Sequence, residues 1–120
     1  MATCLVVDDV TVSQFTARTF LEELGLDVKQ AADGEGALET LDDGGVDVML
    51  LDWHLKKKSG LELLEVIRDK HGNGLKVIVF SGVEDDKKAS EAVNAGANGY
   101  MTKPTTKEKL EYELKSVGIL

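Results

Sequence analysis

Residues 48–60 read VMLLDWHLKKKSG. An unbroken apolar run ends in Asp52, three lysines follow at 56–58, and Gly60 closes the stretch. A short apolar run without alternation is the signature of a strand covered on both faces, as in a parallel sheet between helical layers. A carboxylate at the end of such a run is costly unless something there needs it. Working outward, further β-type runs appear at 3–7 (TCLVV), 27–31 (DVKQA), 76–80 (KVIVF) and 98–102 (NGYMT), with the central run extending over 46–51. Between them the apolar period becomes helical. Ala17, Phe20, Leu21 and Leu24 follow i, i+3, i+4, i+7, as do Ala89, Ala92, Val93 and Gly96, and Leu110, Leu114 and Val117 follow i, i+4, i+7. Gly25, Gly44, Gly72, Gly96 and Gly118 stand where helices stop.

The pattern is (βα)5, which predicts an α/β fold: a doubly wound, five-stranded parallel sheet with helices on both faces. The first, third and fourth runs are almost wholly apolar and belong in the centre. The second carries Asp27, Lys29 and Gln30 and the fifth is short and contains glycine, so these two are edges. Right-handed crossovers then give the flavodoxin-like order 2-1-3-4-5.

The 120 residues suit one domain, residues 1–120. No apolar run approaches the roughly eighteen residues of a membrane span, and no signal-peptide pattern opens the chain. The single cysteine, Cys4, excludes an internal disulfide and reads as a small core residue. These features predict a cytoplasmic protein without membrane insertion. A formal charge of −8 argues against bulk attraction to nucleic acid and favours a cation or a basic protein surface as partner.

In a 2-1-3-4-5 sheet, ligands bind at the carboxyl ends of the strands, beside the reversal point between strands one and three. The residues just past the strands there are Asp8 and Asp9, Asp52, Ser81 and Lys103. Strand two delivers Asp33, read as the cap of the following helix. Three converging carboxylates repel one another, and a hard divalent cation such as Mg²⁺ removes that difficulty. Against the lone ammonium of Lys103 they leave two negative charges, which one Mg²⁺ cancels. The chemistry that fits is phosphoryl transfer, which depends mainly on position and electrostatics. Asp52 is the nucleophile, Asp8 and Asp9 hold the metal, Lys103 pairs with a phosphoryl oxygen, and Ser81 donates its hydroxyl to another.

On these residues the whole chain resembles the receiver domain of bacterial response regulators, of the free-standing type without an output domain. The resemblance rests on the DD pair at 8–9, LLDW around Asp52 with Gly60 beyond it, VFSG at 79–82 and GYMTKP at 99–104. It implies that Asp52 accepts a phosphoryl group from a histidine kinase or phosphotransfer protein. It implies Asp9, Asp52 and the backbone carbonyl of His54 as direct Mg²⁺ ligands, with Asp8 acting largely through water. Ser81 and Tyr100 become the switch pair, and Lys103–Pro104 a cis peptide. The face formed by the fourth helix, fifth strand and fifth helix becomes the surface for a downstream protein target, with the domain a monomer and chemotaxis its candidate pathway. The same resemblance admits a phosphorelay intermediate or a phosphate sink. Lys56, Leu55 and Thr105 depart from the family pattern, and His54 and Val83 occupy positions that tune dephosphorylation.

Two rivals fit less well. A haloacid-dehalogenase-type phosphatase also uses an Asp nucleophile and Mg²⁺, but wants a second Asp where this chain has His54. A flavodoxin-like electron carrier needs a hydroxyl-rich phosphate loop where DDVTVSQ places two acids. His71 reads as a favourable charge at a helix C-terminus, and Trp53 as a partly exposed neighbour of the site. Lys56–Lys58 read first as a solvated loop, with steering of an acidic donor as the alternative.

Overall fold

The computed structural model describes residues 1–82 and 86–120. Ten elements alternate: β1 (Thr3–Val7), α1 (Thr11–Glu23), β2 (Asp27–Ala31), α2 (Gly34–Asp42), β3 (Val48–Asp52), α3 (Gly60–His71), β4 (Lys76–Ser81), α4 (Asp86–Asn94), β5 (Gly99–Thr102) and α5 (Lys107–Ser116). All strands pair in parallel, in the order β2-β1-β3-β4-β5. The doubly wound fold is therefore the one that strand composition predicts. Val83, and Glu84 as a helix start, lie outside the described residues.

Alternate side chains of the central strands serve opposite faces. Leu5, Val7, Met49, Leu51, Val77 and Val79 face a core closed by α2, α3 and α4. Cys4, Val6, Val48, Leu50, Ile78 and Phe80 face a second core closed by α1 and α5. Each central residue is buried whichever way it points, which is why these strands need no polar alternation. Cys4 is enclosed, and burial pushes its thiol up to about 12.

Four strand boundaries differ from the sequence reading. The central run begins at Val48 rather than 46, because Asp47 turns its carboxylate to the Thr3 N–H at 2.8 Å. β5 begins at Gly99, because the Asn98 side chain accepts from the Val77 N–H at 2.9 Å. Asp52 and Ser81 are the last residues of their strands rather than the first beyond them. In α4 only Ala92 of the apolar series is buried; Val93 is 56% exposed and Gly96 lies beyond the helix. The glycine stops hold: all five have positive φ.

Candidate functional site

Hydrophobic packing leaves few places for polar side chains. Among the described residues the buried polar or charged set is Asp8, Asp52 and Ser81, and all three lie at the carboxyl end of the sheet. β1 delivers Asp8 and Asp9, with the Asp8 N–H bonded to the Ala31 carbonyl at 3.1 Å. β3, running beside it in register from Cys4–Val48 to Val7–Leu51, delivers Asp52 one residue further. The two strands on either side of the reversal point therefore bring carboxylates from sequence-distant segments together. One oxygen each from Asp8, Asp9 and Asp52 lies within 4.8 Å of the others.

Each carboxylate is held. Asp8 Oδ1 accepts from the Val10 N–H at 2.9 Å and its Oδ2 faces Lys103 Nζ at 3.2 Å. Asp9 Oδ2 accepts from the Lys56 N–H at 2.9 Å. Asp52 Oδ1 accepts from the His54 N–H at 3.0 Å and its Oδ2 faces Lys103 Nζ at 3.4 Å. The ammonium thus bridges two strands, and it also lies 4.7 Å above the Phe80 ring. Burial raises the Asp52 pKa above the ordinary aspartate value; the His54 N–H and Lys103 oppose the rise, and Asp8 adds to it.

The donor set fits a hard cation. It consists of carboxylate oxygens converging from three positions, with one partly exposed member, Asp9, opening the cluster to solvent. Asp8 and Asp52 share a single ammonium, so negative charge remains in excess.

Ser81 Oγ lies 2.9 Å from His54 Nε2. Tyr100 is half-buried on β5 and packs against the core closed by α2, α3 and α4. Lys103 follows β5, and its peptide bond to Pro104 is cis. Asp33 caps α2 through the Gly36 N–H at 2.8 Å, as the sequence reading expects.

Other expectations are corrected. Trp53 is 5% exposed: its ring packs in the core with Leu63 and Leu64, and the α3 N-terminus covers it. Gly60 serves that closeness more than the turn. A Cβ there would meet Trp53 Cα and Cε3 at 2.7 Å and the Asp52 carbonyl oxygen at 3.0 Å. His71 lies in the last turn of α3, as the sequence reading expects, and its Nε2 is 3.2 Å from Asp42 Oδ1 of α2. Of the three lysines, Lys56 acts through its backbone, which orients Asp9. Lys57 makes only a long contact to Asp33 at 4.0 Å and is 83% exposed, as a solvated loop requires.

Two residues that the sequence does not advertise also build the site. Gln14 on α1 donates through Nε2 to the carbonyls of Asp8 and Ala31, tying together the ends of β1 and β2. Arg68 on α3 donates to the carbonyls of Gly72, Leu75 and Gly96 and to Asn98 Oδ1, fixing the turn into β5. Neither belongs to an apolar period or a strand end, so only three-dimensional contact reveals it.

A carboxylate triad at the reversal point of a 2-1-3-4-5 sheet, two of its members bridged by a lysine just beyond the last strand, defines a receiver-type domain. The chain belongs to the response regulator receiver domain family, whose profile matches residues 4–115. It is 30% identical over 115 residues to the chemotaxis protein CheY of Pseudomonas aeruginosa, covering 94% of this chain and 93% of that one. It is 34% identical over 113 residues to CheY-3 of Vibrio cholerae, covering 89% and 87%. Among solved structures, V. cholerae CheY4 superposes with a TM-score of 0.90 at 27% identity, over 98% of both chains. Among the described residues no helix is long and apolar enough to cross a membrane.

Proposed function

We propose that the protein is a phosphorylation-controlled signalling switch in which Asp52 accepts a phosphoryl group from a histidine kinase or phosphotransfer protein. Phosphorylation then alters the affinity of the face formed by α4, β5 and α5 for a protein target. The observation that carries this reading is the buried Asp52 carboxylate, held beside Asp8, Asp9 and Lys103 at the carboxyl end of the sheet. The relatives named as chemotaxis proteins support chemotaxis as the pathway.

In the transfer, an Asp52 carboxylate oxygen attacks phosphorus. The bond to the donor nitrogen breaks, and its electron pair stays with the donor imidazole. The His54 N–H fixes the orientation of the carboxylate through Oδ1. Lys103, already beside Oδ2, follows the negative charge onto a phosphoryl oxygen. Ser81 donates its hydroxyl to another. Asp9, Asp52 and the His54 carbonyl would hold Mg²⁺, with Asp8 acting through water, and the ion would supply charge neutralisation for the transfer. Catalysis is confined to the protein's own phosphorylation and dephosphorylation.

The donor's docking place is the surface beside the site. Val10, Val12 and Phe15 are exposed there, next to a groove of about 420 Å³ that reaches Lys103 and Thr105. Titration with Mg²⁺ and then beryllofluoride, followed through Trp53 fluorescence, tests the assignment. Wild type responds to both additions and Asp52→Asn loses the beryllofluoride response. An equal beryllofluoride response in the variant contradicts the assignment.

A further inference from the structure

His54 does more than lend its backbone to Asp52. Its ring reaches across to β4 and α4, where Nε2 lies 2.9 Å from Ser81 Oγ and 3.4 Å from Lys88 Nζ. A lysine ammonium can only donate. The Lys88 contact is a hydrogen bond only in the tautomer that keeps the lone pair on Nε2 and the ring proton on Nδ1. In that tautomer the bond at the shorter distance has the Ser81 hydroxyl as donor, so two donors face one lone pair.

We propose that His54 is a relay between the phosphorylation site and α4: when Ser81 turns its hydroxyl to the phosphoryl group, the freed lone pair of Nε2 passes to Lys88. The charge-assisted bond that results draws α4 toward the loop after β3. The event at Asp52 reaches a helix of the target-binding face through two side chains, with no other element required to move first. The relay rests on the reading of Asp52 as phosphoacceptor given above. His54 acts in it as a positioning residue.

The test is a double-mutant cycle read by beryllofluoride affinity in the presence of Mg²⁺. Lys88→Met keeps chain length and helix propensity and removes the donor. His54→Leu removes the acceptor, and His54→Gln restores an acceptor at similar reach. The relay predicts that Lys88→Met weakens beryllofluoride binding about threefold in wild type, the worth of one modest hydrogen bond. The effect vanishes in the His54→Leu background and returns with His54→Gln. Hydrogen exchange gives the second readout: beryllofluoride protects the α4 amides in wild type, and that gain is lost in Lys88→Met. Beryllofluoride that binds wild type with the same Lys88→Met effect in every background, or with none, overturns the relay alone. Failure of wild type to bind beryllofluoride at all overturns the phosphoacceptor reading and the relay together.

Discussion

Asp52 is a carboxylate kept where ionisation is disfavoured. Burial is the largest influence on it and raises its pKa, and the His54 N–H and Lys103 only partly offset that rise. An acid whose folded-state pKa is raised binds its proton more tightly in the native state, so stability falls as pH rises through that raised value. Above that raised value the folded protein carries this cost in full, and below the ordinary aspartate range the cost is absent. Asp52→Asn is therefore expected to stabilise the protein above that raised value, by on the order of 1 kcal/mol, or about 4 °C in Tm. The advantage shrinks toward zero as pH falls through the raised pKa, which thermal melts at a series of pH values would show. The charged side chains of the cluster were legible from the sequence because each stands at a strand end. Gly60 was legible as a family landmark, but its reason was not. Packing of the α3 N-terminus onto the Trp53 backbone, with 2.7 Å to any added Cβ, is a tertiary fact. Gly60→Ala is expected to cost about 1–3 kcal/mol in denaturant unfolding, because backbone rather than a flexible side chain must yield.

At the scale of elements, strand composition alone fixed which strands lie inside. The helix ends and the turns between elements depended on side chains that no periodicity marks. Arg68 is the main case. Burial lowers its pKa, yet its guanidinium is well satisfied, by three carbonyls and Asn98. It joins the end of α3, the start of β4 and the turn between α4 and β5, whose Gly96 at φ +113° lies against its side chain. Lysine cannot reproduce that fork of donors. Arg68→Lys is expected to lower stability by about 2 kcal/mol in urea unfolding and to increase hydrogen exchange in the α4–β5 turn. The donor surface proposed at the start of α1 lets docking be tested apart from chemistry. Phe15, 69% exposed, carries little packing in the free protein. Phe15→Ala is expected to slow phosphoryl transfer from a histidine kinase about tenfold, as loss of an aromatic anchor does, and to leave modification by acetyl phosphate unchanged. A fall in both rates would place Phe15 in the chemistry instead of the docking surface.

For the whole molecule, two hydrophobic layers position the strands, and the strands position the charges. The order β2-β1-β3-β4-β5 puts β1 and β3 side by side although more than forty residues separate Asp8 from Asp52. The topology could be read from alternation of elements, and the site followed from the topology before any side chain was seen. What could not be read was the wiring around it: Gln14 across two strand ends, Lys56 orienting Asp9 through its amide, and His54 shared between Ser81 and Lys88. Those contacts depend on loop conformation, which short-range pattern leaves open. Function in this molecule converges on one group, the Asp52 carboxylate, proposed as the place where the phosphoryl group lands. Intact-mass measurement after incubation with acetyl phosphate and Mg²⁺ tests it most directly. One added phosphoryl group per wild-type chain and none on Asp52→Asn is the expected result; a phosphorylated Asp52→Asn chain, at the wild-type level, would contradict the assignment of Asp52.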